Sequence, residues 1–211
     1  MRLLRVGGDD RFSLVEFTGQ DIPPYAILSH TRGPDHEEVT FQDIINGTGQ
    51  HKAGYNKLAF CSTQAAKDGL GHFWVDTCCI NKSSSAELTE SINSMFQWYE
   101  NALVCYVTLQ DLDSTARLAA ALPRCRWFTR GWTLQELLVP NEIRFYDRTW
   151  TCIGSKKTLI PLLSAITNIR RRYLPTGLWL RLQWLPRCHG LRIEKQNARK
   201  IGHIRFLAYS M

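Results

Sequence analysis

Tyr25-Ala26-Ile27-Leu28, running straight into Ser29-His30-Thr31-Arg32-Gly33-Pro34-Asp35, is the stretch whose reading decides the fold. Four consecutive apolar residues of strand length, with no polar alternation, describe a strand covered on both faces. The polar loop and turn signal after it mark where that strand emerges from the core. The same pattern recurs in Phe73-Trp74-Val75-Asp76, which ends at Asp76-Thr77-Cys78-Cys79-Ile80-Asn81-Lys82, and again in residues 103–109, LVCYVTL. Residues 142–146 read as a fourth strand.

Helical patterns lie between these runs. Residues 55–68 place Leu58, Cys61, Ala65 and Ala66 at helical spacing, with Gly69 as the stop. A capping box of Ser84 and Glu87 opens a second helix, whose apolar face is Leu88, Ile92, Met95, Phe96 and Tyr99. Residues 117–122 and 157–166 read as further helices, the latter despite Pro161, and residues 39–45 form an apolar patch before a glycine-rich turn. At the N-terminus, MRLLRV, Gly7-Gly8-Asp9-Asp10 and RFSLVEF read as a β-hairpin. Strands alternating with helices give an α/β fold with a mainly parallel sheet flanked by helices. In such sheets, ligands sit beyond the carboxyl ends of the strands. Those ends carry Ser29, His30 and Asp76.

Residues 126–140, RWFTRGWTLQELLVP, lead to the same place. Pro140 stops a short helix over residues 134–139, for which Thr133 is the expected N-cap. Leu134, Leu137 and Leu138 form its apolar stripe, while Trp132 and Glu136, four apart, share another face. That pairing is either an acid beside an aromatic wall at a cleft or a solvated helix face.

Composition narrows the function classes. A chain of 211 residues with 44% apolar content is one domain, or one domain plus a tail. No apolar run approaches the roughly 20 residues of a membrane span, and residues 1–10 hold no secretory h-region. Seven cysteines, an odd number, sit largely in apolar runs and read as reduced buried thiols of a cytoplasmic protein. Cys78, Cys79 and His72 lack CxxC or HxxxH spacing, so no metal site is expected. Neither a GxGxxG nor a GxxxxGK[ST] motif is present, which disfavours Rossmann and P-loop sites. The net charge is +7, but residues 1–169 balance at −2, with sixteen Lys/Arg against eighteen acids. Residues 170–211 hold ten Lys/Arg and one acid. A nucleic-acid surface is therefore not expected in the body of the chain.

YAILSHTRG, FWVDTCCINKSSSAELTESINSMFQWY, VCYVTLQDL and RWFTRGWTLQELLVP together resemble the fungal heterokaryon-incompatibility (HET) domain. The resemblance covers residues 1–169 and implies a role in fungal non-self recognition, in which an activated domain triggers cell death. It also implies a partner that regulates the domain, or self-association. The HET domain is in turn similar to the flavodoxin-like Toll/interleukin-1 receptor (TIR) fold, several members of which cleave NAD. The TIR acid lies in a W-C-x-x-E-L segment, which Trp132-Thr133-Leu134-Gln135-Glu136-Leu137 matches, so the resemblance points to Glu136 as catalytic acid. Two positions depart from the family pattern. Arg32 stands where the family has Trp, and Asn81 where it has Asp.

No cofactor is expected on this reading; NAD enters as substrate. Nicotinamide–ribose cleavage passes through an oxocarbenium-like state that a carboxylate stabilises. Trp132 would hold a flat ring and exclude water. Ser29 and His30 would contact ribose or phosphate, although Ser29 also suits a turn or N-cap. Asp76 would bind a hydroxyl or cap the turn after its strand. Arg126 and Arg130 would face a pyrophosphate or lie idle in solvent. The competing readings are a non-catalytic oligomerising module and an inactive gene remnant. For the remnant, the shifted reading frame across Arg187 to Lys195 can encode M-S-W-A-[AS]-[DN]-R-E-T, similar to the family's expected continuation. Residues 170–211 are thus expected to be an irregular basic tail, frameshifted or disordered.

Overall fold

The computed structural model describes residues 1–6, 11–19, 21–113 and 117–174. The elements run β1 (Arg2–Arg5), β2 (Leu14–Glu16), β3 (Tyr25–His30), α1 (Phe41–Asn46), α2 (Tyr55–Lys67), β4 (His72–Trp74) and α3 (Asp76–Cys79). They continue with α4 (Ser85–Asn101), β5 (Val104–Thr108), α5 (Leu118–Ala121), α6 (Thr133–Leu138), β6 (Ile143–Tyr146), β7 (Cys152–Ser155) and α7 (Lys156–Thr167). All six residues of β3 and all five of β5 are buried, as strands covered on both faces must be.

The strands form one seven-stranded mixed sheet in the order β2-β1-β4-β3-β5-β6-β7. Its centre is parallel: β4 beside β3, β3 beside β5 and β5 beside β6. Ile27 sits opposite Trp74 on one side and Cys105 on the other. The hairpin β1–β2 joins antiparallel to β4, and β7 joins antiparallel to β6. In chain order the four parallel strands lie second, first, third, fourth across the sheet. Winding therefore reverses between β3 and β5, and the crevice of a doubly wound sheet opens at such a reversal.

Alternation along the strands feeds two helical layers. On one face Tyr106 and Tyr146 meet Phe60 of α2. On the other, Trp74 meets Trp98 and Tyr99 of α4, and Phe145 meets Trp127 ahead of α6. Ser29 shares the α4–α6 face and His30 the α2 face, because neighbours along a strand point opposite ways.

Local chemistry sets several boundaries. Thr40 and Asp43 form a reciprocal capping box at α1, which ends at Gly47 with φ 65°. Ser155 and Thr158 do the same for α7, where Pro161 lies on the exposed side. The box expected at Ser84 and Glu87 is half formed. Ser84 accepts the Glu87 backbone N–H, but the Glu87 carboxylate takes the Asn81 N–H and Arg2 instead. Thr133 is not an N-cap; it is the first residue of α6, and its hydroxyl donates to the Trp127 carbonyl. Asp76 leaves the strand to open α3, and its side chain caps nothing there. β7 had no counterpart in the strand pattern. Leu174 is fully buried against the core, so packing extends beyond residue 169. The expectations about residues 175–211 lie outside the described residues, and among the described ones no helix is long and apolar enough to cross a membrane.

A buried ion pair ties the loop after β3 to α2. The Lys57 ammonium donates to both oxygens of Glu38 at 2.6 and 2.5 Å, and Glu38 also accepts the Gly33 N–H at 2.7 Å. Gly54 permits this approach: its N–H donates to the Glu37 carbonyl at 2.8 Å, where a Cβ would come within 2.6 Å of that oxygen. Lys57→Met strands a buried carboxylate and should lower stability by about 3–5 kcal/mol in urea unfolding. Adding Glu38→Met to that variant should recover most of the loss; a strictly additive double variant would show that the pair is not coupled.

Candidate functional site

Glu136 is the acid around which the site forms, and it is only 3% exposed. It sits on α6, six residues long and too short to persist alone in water. Tethers hold both ends. The Thr133–Trp127 bond fixes the start. At the other end Lys156 donates to the carbonyls of Leu137, Leu138 and Pro140 at 3.3, 3.4 and 2.6 Å, filling acceptors that a helix terminus leaves open. Burial pushes the Lys156 ammonium down to about 8.

The Glu136 carboxylate is fully engaged. Ser29 Oγ donates to Oε2 at 2.5 Å, and Arg130 donates to Oε2 and Oε1 at 2.7 and 3.1 Å, a bidentate fork. Ser29 Oγ in turn accepts the indole N–H of Trp127 at 2.7 Å. An indole, a hydroxyl, a carboxylate and a guanidinium thus make one buried polar chain linking β3 to α6.

A small cavity of about 80 Å³ lies against this chain at the carboxyl end of β3. Glu136, Arg130, Trp132, His30 and Asp76 line its polar part; Leu28, Met95 and Tyr99 close it below. It holds a few waters at most, well short of the roughly 300 Å³ of a small-molecule pocket. The Arg130 side chain that grips Glu136 also forms part of the cavity wall.

Six of the residues singled out from sequence converge here, in different capacities. His30, Asp76, Arg130, Trp132 and Glu136 face the cavity, and Trp132 is 41% exposed at its mouth. Ser29 stands behind Glu136, not at a turn, and its hydroxyl is taken by Glu136 and Trp127. Arg126 is elsewhere, in the wall of a second cavity. Trp127 was missed as a site residue although it sits beside Arg126 and Phe128. Tyr99 and Met95 were read only as a helix face. Lys156 gave no signal, because a lysine in an amphipathic helix reads as solvated.

His30 has an unusual setting. Its Nε2 is buried without a hydrogen bond, 3.8 Å from Asp76 Oδ1 and 4.0 Å from Glu38 Oε2. Burial pushes its imidazole down to about 4; the pull of Asp76 and Glu38 is countered by Lys57 and Arg130. Burial opposes ionisation of Asp76, yet His30, Lys82, Arg32 and Arg130 bring its carboxyl below the usual value. Among the described residues five cysteines are buried as free thiols, Cys78 and Cys79 included, and Cys152 is exposed. No His/Cys/Asp/Glu group among the described residues is arranged to hold a metal.

Residues 25–126, from the first parallel strand to the turn before α6, match the family described as heterokaryon incompatibility protein (HET). This segment is similar to a HET domain. A relative, vegetative incompatibility protein HET-E-1 of Podospora anserina, is 51% identical over 155 residues. That alignment covers 70% of this chain and 11% of the relative, so the chain spans about a tenth of that protein's length. No solved structure matches. The matched HET segment contains Ser29, His30 and Asp76, whereas Arg130, Trp132 and Glu136 lie just beyond it.

The His30 setting makes stability depend on pH. Above about 6.5 the imidazole is neutral folded or unfolded, and its contribution is intact. As pH falls towards 4 the unfolded chain takes up a proton that the folded chain refuses, so stability drops by about 3 kcal/mol. Urea midpoints between pH 7 and 4 should fall for the wild type and much less for His30→Asn. Asp76 and Glu38, whose carboxyls sit low, act only in a more acid window.

Proposed function

We propose that this HET domain is an effector of fungal non-self recognition that triggers cell death by cleaving NAD at the nicotinamide–ribose bond, with Glu136 as the catalytic acid. The observation that carries the proposal is a buried carboxylate at the switch point of a doubly wound sheet, with an exposed indole, Trp132, at the mouth of its cavity. The second-first-third-fourth order of parallel strands supports a flavodoxin- and TIR-like kinship. HET-E-1 is by its name a vegetative incompatibility protein, which supports the incompatibility role.

The chemistry asks little of the protein. The bond from ribose C1′ to the pyridinium nitrogen breaks, and its electron pair neutralises that nitrogen. Water then adds to C1′ and gives up a proton, leaving nicotinamide and ADP-ribose. Glu136 stabilises the positive ribose in between, and Trp132 keeps the leaving ring flat and dry. Arg130 must first withdraw from Glu136, because its fork occupies both carboxylate oxygens. An anionic ligand group gives the guanidinium another partner.

A second reading rests on that same fork. If Arg130 never leaves, the Ser29–Glu136–Arg130 chain is a structural tie, and the domain acts by assembling with itself or with a regulatory partner. The 211-residue chain, incubated with NAD and followed by chromatography, separates the two. Wild type should release nicotinamide, and Glu136→Gln should lower the rate by about 10²–10³-fold while melting as a folded protein. Cell killing that persists in Glu136→Gln with NAD levels intact would favour the assembly reading.

A further inference from the structure

The second cavity, about 460 Å³, lies on the other side of the β3 carboxyl end. The loop after β3 (Thr31, Arg32), the loop after β5 (Gln110) and the loop after β6 (Arg148, Trp150) line it together with Asn56 of α2 and Arg126. It is therefore on the α2 side of the sheet, while Glu136 is on the α4–α6 side. Its volume is in the range of small-molecule sites.

The lining holds four cations, Arg32, Lys57, Arg126 and Arg148, against three acids, Glu37, Glu38 and Asp111. Glu38 is matched by Lys57 inside the wall. The carboxylates of Asp111 and Glu37 accept backbone N–H groups, from Arg126 and Ala53 respectively. Arg148 pairs with Asp113 at the exposed rim. The guanidiniums of Arg32 and Arg126 are in no ion pair within 4.0 Å among the described residues and both are exposed. Trp150 shares the lining with these cations and is stacked on Phe60, with centroids 4.6 Å apart and planes 21° apart. Its backbone is in the left-handed region, φ 64°, where a bulky side chain is strained. Asp147 holds that conformation by accepting the N–H groups of Thr149 and Thr151, while the Trp150 N–H returns to the Asp147 carbonyl. The groove thus combines a braced flat ring, two arginines outside any ion pair among the described residues and the amides of Asn56 and Gln110. Flat ring, amides and guanidiniums are what a nucleotide's base and phosphates require.

We infer that this groove binds the adenosine-phosphate half of the dinucleotide whose nicotinamide half reaches Glu136. The assignment rests on the NAD reading above for the identity of the second half, and on the groove's own residues for the first. The ligand crosses the end of β3 at the switch point, with Arg32 at the crossing: it lines the groove and its charge acts on Asp76 in the first cavity. Arg32, where the family has Trp, thereby serves the phosphates.

ADP titrated calorimetrically into the 211-residue chain tests this. The wild type should bind ADP, with Kd raised at least tenfold by Arg126→Glu and by Trp150→Ala, and changed less than twofold by Glu136→Gln. Arg126 is exposed, so its variant should melt like the wild type even if Trp150→Ala folds poorly. Failure of the wild type to bind ADP, or wild-type binding by Arg126→Glu, overturns the assignment. So does loss of ADP binding in Glu136→Gln, which would put the nucleotide in the first cavity. NAD cleavage is read separately on the same samples: the predicted ADP pattern with NAD left intact upholds the groove and sinks the cleavage reading.

Discussion

The hydrogen bond from Ser29 to Glu136 joins residues 107 positions apart and is the contact on which the site depends. One partner is the last residue but one of the first parallel strand; the other rides a helix too short to hold its own shape. Within the α4–α6 layer, Trp127 and Arg130 complete the valences of the same two groups, so four side chains from three segments form one closed set. Breaking such a buried set leaves an unpaired acid in a low-dielectric setting, which is costly. The sheet therefore dictates where α6 can sit, and the acid dictates how it is turned.

The two cavities follow from the same constraint. Loops leave the β3, β5 and β6 carboxyl ends towards both helical layers, because side chains of β3 alternate between them. Ser29 commits to one layer and His30 to the other, where the Glu38–Lys57 pair waits. The ionisable groups around His30 are thus shared between two otherwise separate spaces. A change of charge in one space is felt in the other through a single strand end, with no moving part between them.

Much of this was legible in the sequence, and the reason is physical. Strands buried on both faces have no polar alternation to maintain, so residues 25–28 and 73–75 announce themselves as apolar runs. β7 was not legible: Cys152, Ile153, Gly154 and Ser155 are only half covered at a sheet edge, where composition is weakly constrained. The convergence of His30, Asp76 and Glu136 could be read from the strand-end rule. What could not be read was which polar residues turn inward. Glu38, Lys57 and Lys156 resemble surface residues until a partner 16 or more positions away is in place. The same blindness promoted Trp132 over Trp127. Their sequence contexts are alike, but one stays in solvent and the other spends its N–H on Ser29.

The margins of the sheet carry a consequence of their own. β2 has three residues and β7 four, and the β6–β7 ladder is irregular between Phe145 and Tyr146, with Gly154 at φ 146°. Short, broken borders offer an incoming strand few consecutive backbone groups to join. Copies of this domain are thus poorly equipped to polymerise by extending one another's sheets. Any ordered assembly must grow through helix faces and loop surfaces, where side-chain identity governs fit. Contacts made that way depend on exposed side chains, which can change while the buried sheet is left untouched.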